Sequence, residues 1–216
     1  MRAMILAAGY GKRMKTLTAD LPKPLLPLRG KPLISYHLHA MAKAGIQEVI
    51  INLGYLGHKI EAVLGQGEQF GLRITYSYEN PILETGGGIA FALPLLGEAP
   101  FLVVSADIFT DFPFERLPAS PKGLIHMVMV DNPPHHPKGD YALAGDNILE
   151  NGEPRLNFAG IAVYRPELFV DCPKGAFPIS TLFKKAIQAQ RVTGEYYAGL
   201  WHNIGTPEQL TELNEQ

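Results

Sequence analysis

The sequence predicts a doubly wound α/β fold in which helices pack on a mostly parallel sheet. Short apolar runs, typical of buried strands, alternate with segments of helical spacing along the first half of the chain. Glycines and prolines recur throughout the sequence, as expected of a chain with many turns. The 216 residues, 46% of them hydrophobic and 19% charged, suffice for one large core. We therefore expect one domain rather than two small ones.

The first half of the chain supplies four predicted strands with three predicted helices between them. The first predicted helix begins behind Pro32, a residue suited to a helix start, and ends before Gly45. Four strands connected by three helices within about 107 residues predict a parallel sheet with crossover helices. The predicted strands are 4–8, 49–52, 72–78 and 101–105, and the predicted helices are 33–44, 58–64 and 88–96.

The second half of the chain has a different pattern. Turn signals at 145–147 and 150–152 divide residues 141–158 into short β pieces. This pattern predicts a hairpin that is inserted into the α/β core as a small β-rich lid. The other predicted elements are strands at 125–130 and 160–164, a strand or extended piece at 196–203, and helices at 179–190 and 207–213.

Charge, hydropathy and cysteine content exclude several classes of protein. The net charge is −2, so we expect no basic face for nucleic acid. No apolar run approaches the roughly 20 residues of a membrane span, and the apolar start of the chain is too short for a signal peptide. Cys172 is the only cysteine, which excludes an intrachain disulfide and a Cys-rich zinc site and favours a cytoplasmic location.

A loop with two glycines follows the first predicted strand. Gly9 and Gly11 have no Cβ, so the backbone there can approach a ligand closely, and successive free N–H groups in such a loop cradle anions. Lys12 and Arg13 add positive charge. A glycine turn with solvated charges explains this segment equally well, because it lacks the third glycine of a dinucleotide-binding fingerprint and the Gly-Lys-Ser/Thr of a P-loop.

Lys23 and Asp107 are two further candidates for a phosphate site. Lys23 lies between prolines, which favour extended backbone and can aim the ammonium at a phosphate; the alternative is a surface lysine in a turn. Asp107 follows the predicted strand 101–105, and carboxylates at that end of a parallel strand face the ligand crevice. A carboxylate there suits Mg²⁺, although a cap on the following turn is the alternative.

The motif Leu6-Ala7-Ala8-Gly9-x-Gly11-x-Arg13-Met14, followed by Pro22-Lys23-Pro24-Leu25, resembles the signature of sugar-1-phosphate nucleotidylyltransferases. The match continues through Asp107 and Gly205. The resemblance implies that the loop wraps a nucleoside triphosphate, and that Arg13, Lys23 and Asp107 are catalytic, the aspartate as a ligand of Mg²⁺. The nucleotide-binding residues that it implies are Leu6, Ala8, Gly9, Gly11, Lys12, Arg13, Lys23, Glu84, Gly86, Gly87 and Ser105.

Asn203 and glycines 86–88 fall on two further positions of the family pattern. The second metal position falls on Asn203, where many relatives have Asp; an amide oxygen still binds Mg²⁺ but brings no charge. Tight metal binding is then in question, or substrate phosphates supply more of the coordination. The resemblance puts the nucleobase at glycines 86–88, with Glu84 toward the base or ribose. The alternative there is a helix start capped by Thr85.

The segment 131–141 is the most unusual of the second half. It contains His135 and His136, whose side chains point apart in an extended loop, so we expect no metal site there without a third ligand. With Gly139 and Asp140, the segment resembles one branch of the family, the N-acetylmuramate α-1-phosphate uridylyltransferases. Ser105 stands where we expect Asn in that branch. The sugar-binding residues that this resemblance implies are Ser105, Asp140, Glu150 and Gly160.

The resemblance implies one Rossmann-like domain over residues 1–216, with a mainly nucleotide-binding half (1–110) and a mainly sugar-binding half (111–216). It implies an enzyme that makes a UDP-sugar and pyrophosphate from UTP and N-acetylmuramate α-1-phosphate. We expect this enzyme to be cytoplasmic and to be a monomer or small homo-oligomer. One alternative is a guanylyltransferase for mannose 1-phosphate or heptose 1-phosphate. Another is a catalytically silent subunit that binds nucleotide sugars. Asn203 favours the silent subunit, whereas Arg13, Lys23 and Asp107 disfavour it.

Overall fold

The apolar runs of the sequence form strands in the computed structural model, which describes residues 1–215. The strands are β1 (Ala3–Leu6), β2 (Pro27–Leu28), β3 (Lys31–Pro32), β4 (Glu48–Leu53), β5 (Arg73–Tyr78), β6 (Phe101–Ser105), β7 (Ile108–Thr110), β8 (Ile125–Val130), β9 (Tyr141–Ala144), β10 (Asn147–Leu149), β11 (Arg155–Tyr164), β12 (Val192–Tyr196) and β13 (Trp201–Asn203). The helices are α1 (Leu33–Lys43), α2 (Gly57–Leu64), α3 (Glu84–Leu96), α4 (Ser180–Gln188) and α5 (Pro207–Glu215).

Nine of the strands form one sheet in the order β5-β4-β1-β6-β11-β8-β12-β10-β9. The strands β5, β4, β1 and β6 run parallel, with Ala3 opposite Val49 on one side and Leu102 on the other. Alternate residues of β1 face opposite layers: Ile5 packs in the core beneath α1 and α2, whereas Met4 packs beneath α3 and α4. The predicted doubly wound fold and the parallel first half are therefore confirmed.

The second half of the sheet is mixed rather than parallel. The strand β11 runs antiparallel to both β6 and β8, because the chain reaches it through the β9–β10 hairpin. The predicted hairpin is present, and it extends one edge of the main sheet. The prediction divided β11 at Gly160, but the strand continues through that residue with a bulge in its pairing to β8.

The predicted strand or extended piece 196–203 is only partly a strand, since β12 ends at Tyr196 and β13 begins at Trp201, with a connection between them. Gly194 lies in the middle of β12 and interrupts the alternation of apolar and polar residues by which a strand is recognised in a sequence. The glycine is required because a Cβ at this position would lie 2.9 Å from the carbonyl oxygen of Met127 on the neighbouring strand.

A small two-stranded sheet closes the carboxyl edge of the main sheet. Its strands β7 and β13 run antiparallel, and they bring the end of the chain beside the turn after β6. A third apolar cluster lies there and joins Met14 to Leu210 and Leu213 of α5. Within residues 1–215, no helix has both the length and the apolar character that a bilayer crossing requires.

Candidate active site

A cleft of about 390 Å³ opens at the carboxyl ends of β1 and β6. The loop after β1, the start of α3 and the turn after β6 form its walls. The structure thus brings together, at one edge of the sheet, residues that are far apart in the sequence. The predicted site residues that line the cleft are Leu6, Ala8, Gly9, Gly11, Lys12, Arg13, Lys23, Glu84, Ser105 and Asp107.

The structure gives different reasons for glycine at position 9 and at position 11. A Cβ on Gly9 would meet no atom within 4 Å, and its φ lies outside the left-handed region, so the fold itself does not demand glycine there. Gly11 has φ +61°, and a Cβ would lie 3.1 Å from Cγ2 of Thr18 and 3.3 Å from Cβ of Lys23. Gly11 is therefore a backbone requirement, whereas Gly9 leaves open space at the cleft.

The cationic groups of the cleft come from the loop and from the proline-flanked segment. The ammonium of Lys23 lies 2.9 Å from Oδ2 of Asp107, and the two side chains are 11% and 31% exposed. The backbone is extended at Pro22, as predicted. The prediction of extended backbone is wrong at Lys23, where a short 3-10 turn forms because the Leu26 N–H donates to the Lys23 carbonyl oxygen. The turn carries Lys23 into the cleft.

The other end of the chain supports Arg13. A Cβ on Gly205 would lie 3.1 Å from Nη1 of Arg13, so the guanidinium packs directly on this glycine. The N–H of Gly205 donates to Oε1 of Gln209, which fixes the turn before α5. Both Arg13 and Gly205 line the cleft. The loop after β1 is thus held from the side of the sheet and from the side of α5.

The strands β7 and β13 place Asn203 next to the predicted metal ligand Asp107. Asn203 pairs with Ile108, and the Ile204 N–H donates to the Asp107 carbonyl oxygen at 2.8 Å. Within residues 1–215, no group of three or more His, Cys, Asp or Glu side chains is arranged so that it could hold a metal ion. One carboxylate and one amide oxygen fit Mg²⁺, which takes few protein ligands where phosphates and water complete its shell.

Behind this segment lies His37 of α1, a buried side chain whose Nε2 has no hydrogen-bond partner within residues 1–215. Burial is the main cause that lowers the pKa of His37 to about 4. The imidazole is therefore neutral near pH 7, and it adds no charge behind Asp107.

A second pocket, of about 260 Å³, adjoins the cleft and shares Leu6, Thr85 and Ser105 with it. Gly160 and Asn203 also line this pocket. Gly160 has φ +75°, and a Cβ there would lie 2.9 Å from Oγ of Ser105. Its glycine character thus follows from the bulge of β11 and from the close approach of Ser105.

Asp140 and Glu150 lie outside the residues that line this pocket. Oδ2 of Asp140 accepts a hydrogen bond from the N–H of Phe158 at 2.8 Å, and Phe158 forms part of the pocket wall. Asp140 therefore acts on the pocket through the backbone of β11. Glu150 lines a separate groove, where its carboxylate lies 3.9 Å from the ammonium of Lys184. The structure does not bring Glu150 to the predicted sugar side.

The prediction for Gly86 and Gly87 needs correction. Helix α3 begins at Glu84, so both glycines lie in its first turn, and their N–H groups donate to the Phe177 carbonyl oxygen at 2.9 and 3.1 Å. A Cβ on Gly86 would lie 2.3 Å from the Phe177 ring. These glycines allow the segment around Phe177 to pack on α3, and they do not line the cleft.

The neighbours of these glycines have other roles as well. Thr85 does not cap α3, because its hydroxyl oxygen accepts a hydrogen bond from the N–H of Ile179. Glu84 lines the cleft, and its backbone has φ +60°, a conformation that residues other than glycine and asparagine rarely adopt.

Sequence reasoning missed two polar residues of the cleft, Asn52 and Glu79. Both are buried, and Nδ2 of Asn52 donates to Oε1 of Glu79 at 2.7 Å. A signal for them was present, because Asn52 ends a predicted strand and Glu79 follows the next one. The strand-end rule that identified Asp107 applies equally to them.

Comparison with known proteins agrees with this geometry. Residues 2–145 match the family model described as nucleotidyl transferase. N-acetylmuramate alpha-1-phosphate uridylyltransferase of Neisseria meningitidis serogroup B is 44% identical over 98% of this chain and 96% of its own length. Mannose-1-phosphate guanyltransferase beta-A of Xenopus laevis is 30% identical over 97% of this chain and 62% of its own length. A Bacillus anthracis protein described as a glucose-1-phosphate thymidylyltransferase, solved with a sucrose, shares the fold with a TM-score of 0.88 at 20% identity, over 100% of this chain and 94% of its own.

Proposed function

Because this chain belongs to the nucleotidyl transferase family, we propose that it transfers a uridylyl group from UTP to N-acetylmuramate α-1-phosphate and releases pyrophosphate. The observation that carries the choice of substrates is the 44% identity, over nearly the whole of both chains, to a protein of that name. The cleft supports it, since it combines loop amides, cationic side chains and one carboxylate at the carboxyl edge of a parallel sheet.

In the proposed reaction, an anionic phosphate oxygen of the sugar 1-phosphate attacks the α-phosphorus of UTP. The new phosphorus–oxygen bond forms as the bond to the bridging oxygen breaks, and pyrophosphate leaves with the electron pair. The nucleophile is already ionised, so no general base is required. Catalysis then consists of positioning the two phosphates and neutralising their charge.

The residues of this chain have distinct parts in that reaction. The amides of the loop at Gly9 and Gly11, with Lys12 and Arg13, hold the departing pyrophosphate. Lys23 neutralises charge near the α-phosphate. Its ammonium lies 2.9 Å from Oδ2 of Asp107, so the lysine and the predicted metal ligand act on the same part of the cleft.

The family works with a divalent metal ion, and we propose Mg²⁺ as that ion in this enzyme. Asp107 and Asn203 are the residues that would hold it. When bound, the ion supplies positive charge that draws together and partly neutralises the phosphates of both substrates.

The sugar site in this proposal is the pocket that adjoins the cleft, with Ser105 and Gly160 on its wall and Asp140 behind Phe158. Residues 1–110 are then mainly the nucleotide half and 111–216 mainly the sugar half of one domain. Asn203 and Gly205 belong to the second half but lie beside nucleotide-half residues. A cytoplasmic location and a monomer or small homo-oligomer remain predictions.

A second candidate is transfer of a guanylyl group to mannose 1-phosphate or a heptose phosphate. The 30% identity to the Xenopus laevis guanyltransferase supports it, and that relative is the more distant one. A silent nucleotide-sugar-binding subunit is the third candidate. The cations of the cleft would also bind the diphosphate of a nucleotide sugar, so turnover is what separates this candidate from an enzyme.

The test is a panel of UTP, GTP, CTP and dTTP against N-acetylmuramate, mannose, glucose and N-acetylglucosamine 1-phosphates, scored by pyrophosphate release with Mg²⁺. We expect turnover with UTP and N-acetylmuramate α-1-phosphate, and a loss of about 100- to 1,000-fold in kcat for Asp107→Asn and Lys23→Met. Lys122→Met, which breaks an exposed ion pair with Asp146, is the control and keeps its rate. Turnover with GTP and mannose 1-phosphate would instead establish the second candidate, and no turnover with any pair would overturn both enzymatic candidates.

A further inference from the structure

Asn52 connects the two walls of the cleft through hydrogen bonds. It lies near the end of β4 and is 3% exposed. Its Oδ1 accepts from the N–H of Ala7, in the loop after β1, at 2.7 Å. Its Nδ2 donates to Oε1 of Glu79 at 2.7 Å, and Oε2 of Glu79 accepts from the N–H of Leu83 at 2.8 Å. One chain of hydrogen bonds therefore runs from the glycine loop to the start of α3.

The chemistry of this chain of bonds requires an amide at position 52. Glu79 is 6% exposed, and within residues 1–215 its carboxylate forms no salt bridge, so its charge depends on hydrogen-bond donors. Asparagine offers a donor to the carboxylate and an acceptor to the Ala7 N–H at the same time. Aspartate at position 52 would keep the acceptor but lose the donor.

Helix α3 is seated on this pair. A Cβ on Gly88 would lie 2.4 Å from Oε1 of Glu79 and 3.0 Å from Nδ2 of Asn52. Glycine at position 88 thus lets the helix approach the pair closely. The buried Asn52–Glu79 pair therefore contacts all three parts of the site: helix α3, the wall that begins at Leu83 and the glycine loop.

We propose that Asn52 is a positioning residue for the nucleotide half of the reaction, acting through the Ala7 amide and the Glu79 carboxylate. It sets the spacing between the loop that holds the phosphates and the opposite wall of the cleft. This inference rests on the proposed function. It concerns the binding of the nucleoside triphosphate and not that of the sugar phosphate, whose pocket does not include Asn52 or Glu79.

The first test is Asn52→Asp, which is isosteric. Two carboxylates then face each other at the distance that now separates an amide from a carboxylate. We expect KM for UTP to rise about 10- to 100-fold, the usual consequence of losing a buried hydrogen bond to a charged group, with KM for the sugar phosphate unchanged.

The pH profile adds a signature that simple loss of stability does not produce. Two facing buried carboxylates share a proton, which raises the pKa of the pair. The defect of Asn52→Asp therefore shrinks as the pH falls from about 9 to about 6, because the shared proton restores a donor. The other charged side chains of the cleft are Lys12, Arg13, Lys23, Glu84 and Asp107. These side chains are present in both the variant and the wild type. Their effects on the rate therefore cancel when the rate of the variant is divided by that of wild type at each pH.

The decisive variant exchanges the two functional groups. In Asn52→Asp with Glu79→Gln, the carboxylate at position 52 would accept from the Ala7 N–H and from Nε2 at position 79, whose Oε1 would accept from the Leu83 N–H. All three hydrogen bonds and the net charge are retained. We expect this double variant to recover KM for UTP to within about threefold of wild type, whereas Glu79→Gln alone stays defective at every pH.

A matched control and a binding measurement complete the experiment. Thr193→Val removes a partly buried hydrogen bond to His126, outside the residues that line the cleft, and it should lower the melting temperature without changing KM. If Asn52→Asp leaves KM for UTP unchanged, or if the double variant is no better than the single ones, the proposal is overturned. Calorimetric titration with UTP is run in parallel on all variants. If the wild-type protein binds UTP but does not turn it over, the proposed function is overturned and the proposal for Asn52 is not. The ratio of Kd for UTP between each variant and wild type then tests Asn52 in place of the ratio of KM.

Discussion

Replacement of Gly9 by alanine separates the needs of the fold from those of the ligand. The added Cβ meets no protein atom within 4 Å, and φ at this position is one that alanine adopts. The folded state should gain about 0.4–1 kcal/mol, because alanine restricts the unfolded chain. For a chain of this length the melting temperature should rise by about 1–4 °C. The protein is thus expected to become slightly more stable.

The activity of Gly9→Ala should change in the opposite direction. A methyl group that holds a phosphate about 1 Å away from the loop amides costs about 100-fold in rate, so kcat/KM for UTP should fall by about that factor. The assay is pyrophosphate release at varied UTP, beside thermal unfolding of the same preparation. Unchanged kcat/KM would refute the argument that a ligand approaches the backbone at Gly9.

Two other glycines control for backbone strain. Gly11 and Gly145 have φ +61° and +63°, so alanine should cost about 1–2 kcal/mol of stability at either position. Gly145 has open space around it and lies in the turn between β9 and β10, whereas Gly11 contacts Thr18 and Lys23. We therefore expect Gly145→Ala to lose stability alone, and Gly11→Ala to lose stability and activity together.

Two further predictions concern charge. Asn203→Asp should lower the Mg²⁺ concentration at half-maximal rate about fivefold or more, since a second carboxylate near a cation contributes at least about 1 kcal/mol; an unchanged Mg²⁺ titration would show that residue 203 is not a ligand. Burial lowers the pKa of His37 from 6.5 to about 4. The unfolded chain then binds a proton that the folded one does not, so the stabilisation is complete above about pH 6.5 and is lost toward pH 4, by about 3 kcal/mol in total. Urea unfolding of His37→Gln should depend less on pH between 7 and 5 than that of wild type, and equal dependence would contradict the assignment.

The first half of the fold was predictable because its strands are continuous apolar runs between helices of regular spacing. Each such strand can be recognised from its own residues, without knowledge of the strand that pairs with it. The strand β11 did not, since its bulge at Gly160 looks like a break in the pattern until the pairing with β8 is known. The same holds for β12, where Gly194 is demanded by a neighbouring strand.

The candidate site divides along the same line. Asp107 and the loop glycines were predicted from residue type and position after a strand, and Lys23 was predicted from its flanking prolines. The structure places them in one cleft. Whether they carry the proposed roles stays a prediction until the variants are assayed. Gly86 and Gly87 were assigned to a ligand, because their packing partner Phe177 lies about ninety positions further along the chain and no local pattern connects them.

The contact between α5 and the glycine-loop region has a consequence for synthesis on the ribosome. Met14, near the start of the chain, packs with Leu210 and Leu213 in one apolar cluster, and Gly205 supports Arg13. A growing chain therefore exposes its nucleotide loop early but can finish the wall of the cleft only after α5 has left the exit tunnel. We therefore expect a nascent chain to bind triphosphate only late in synthesis, once α5 can support the loop.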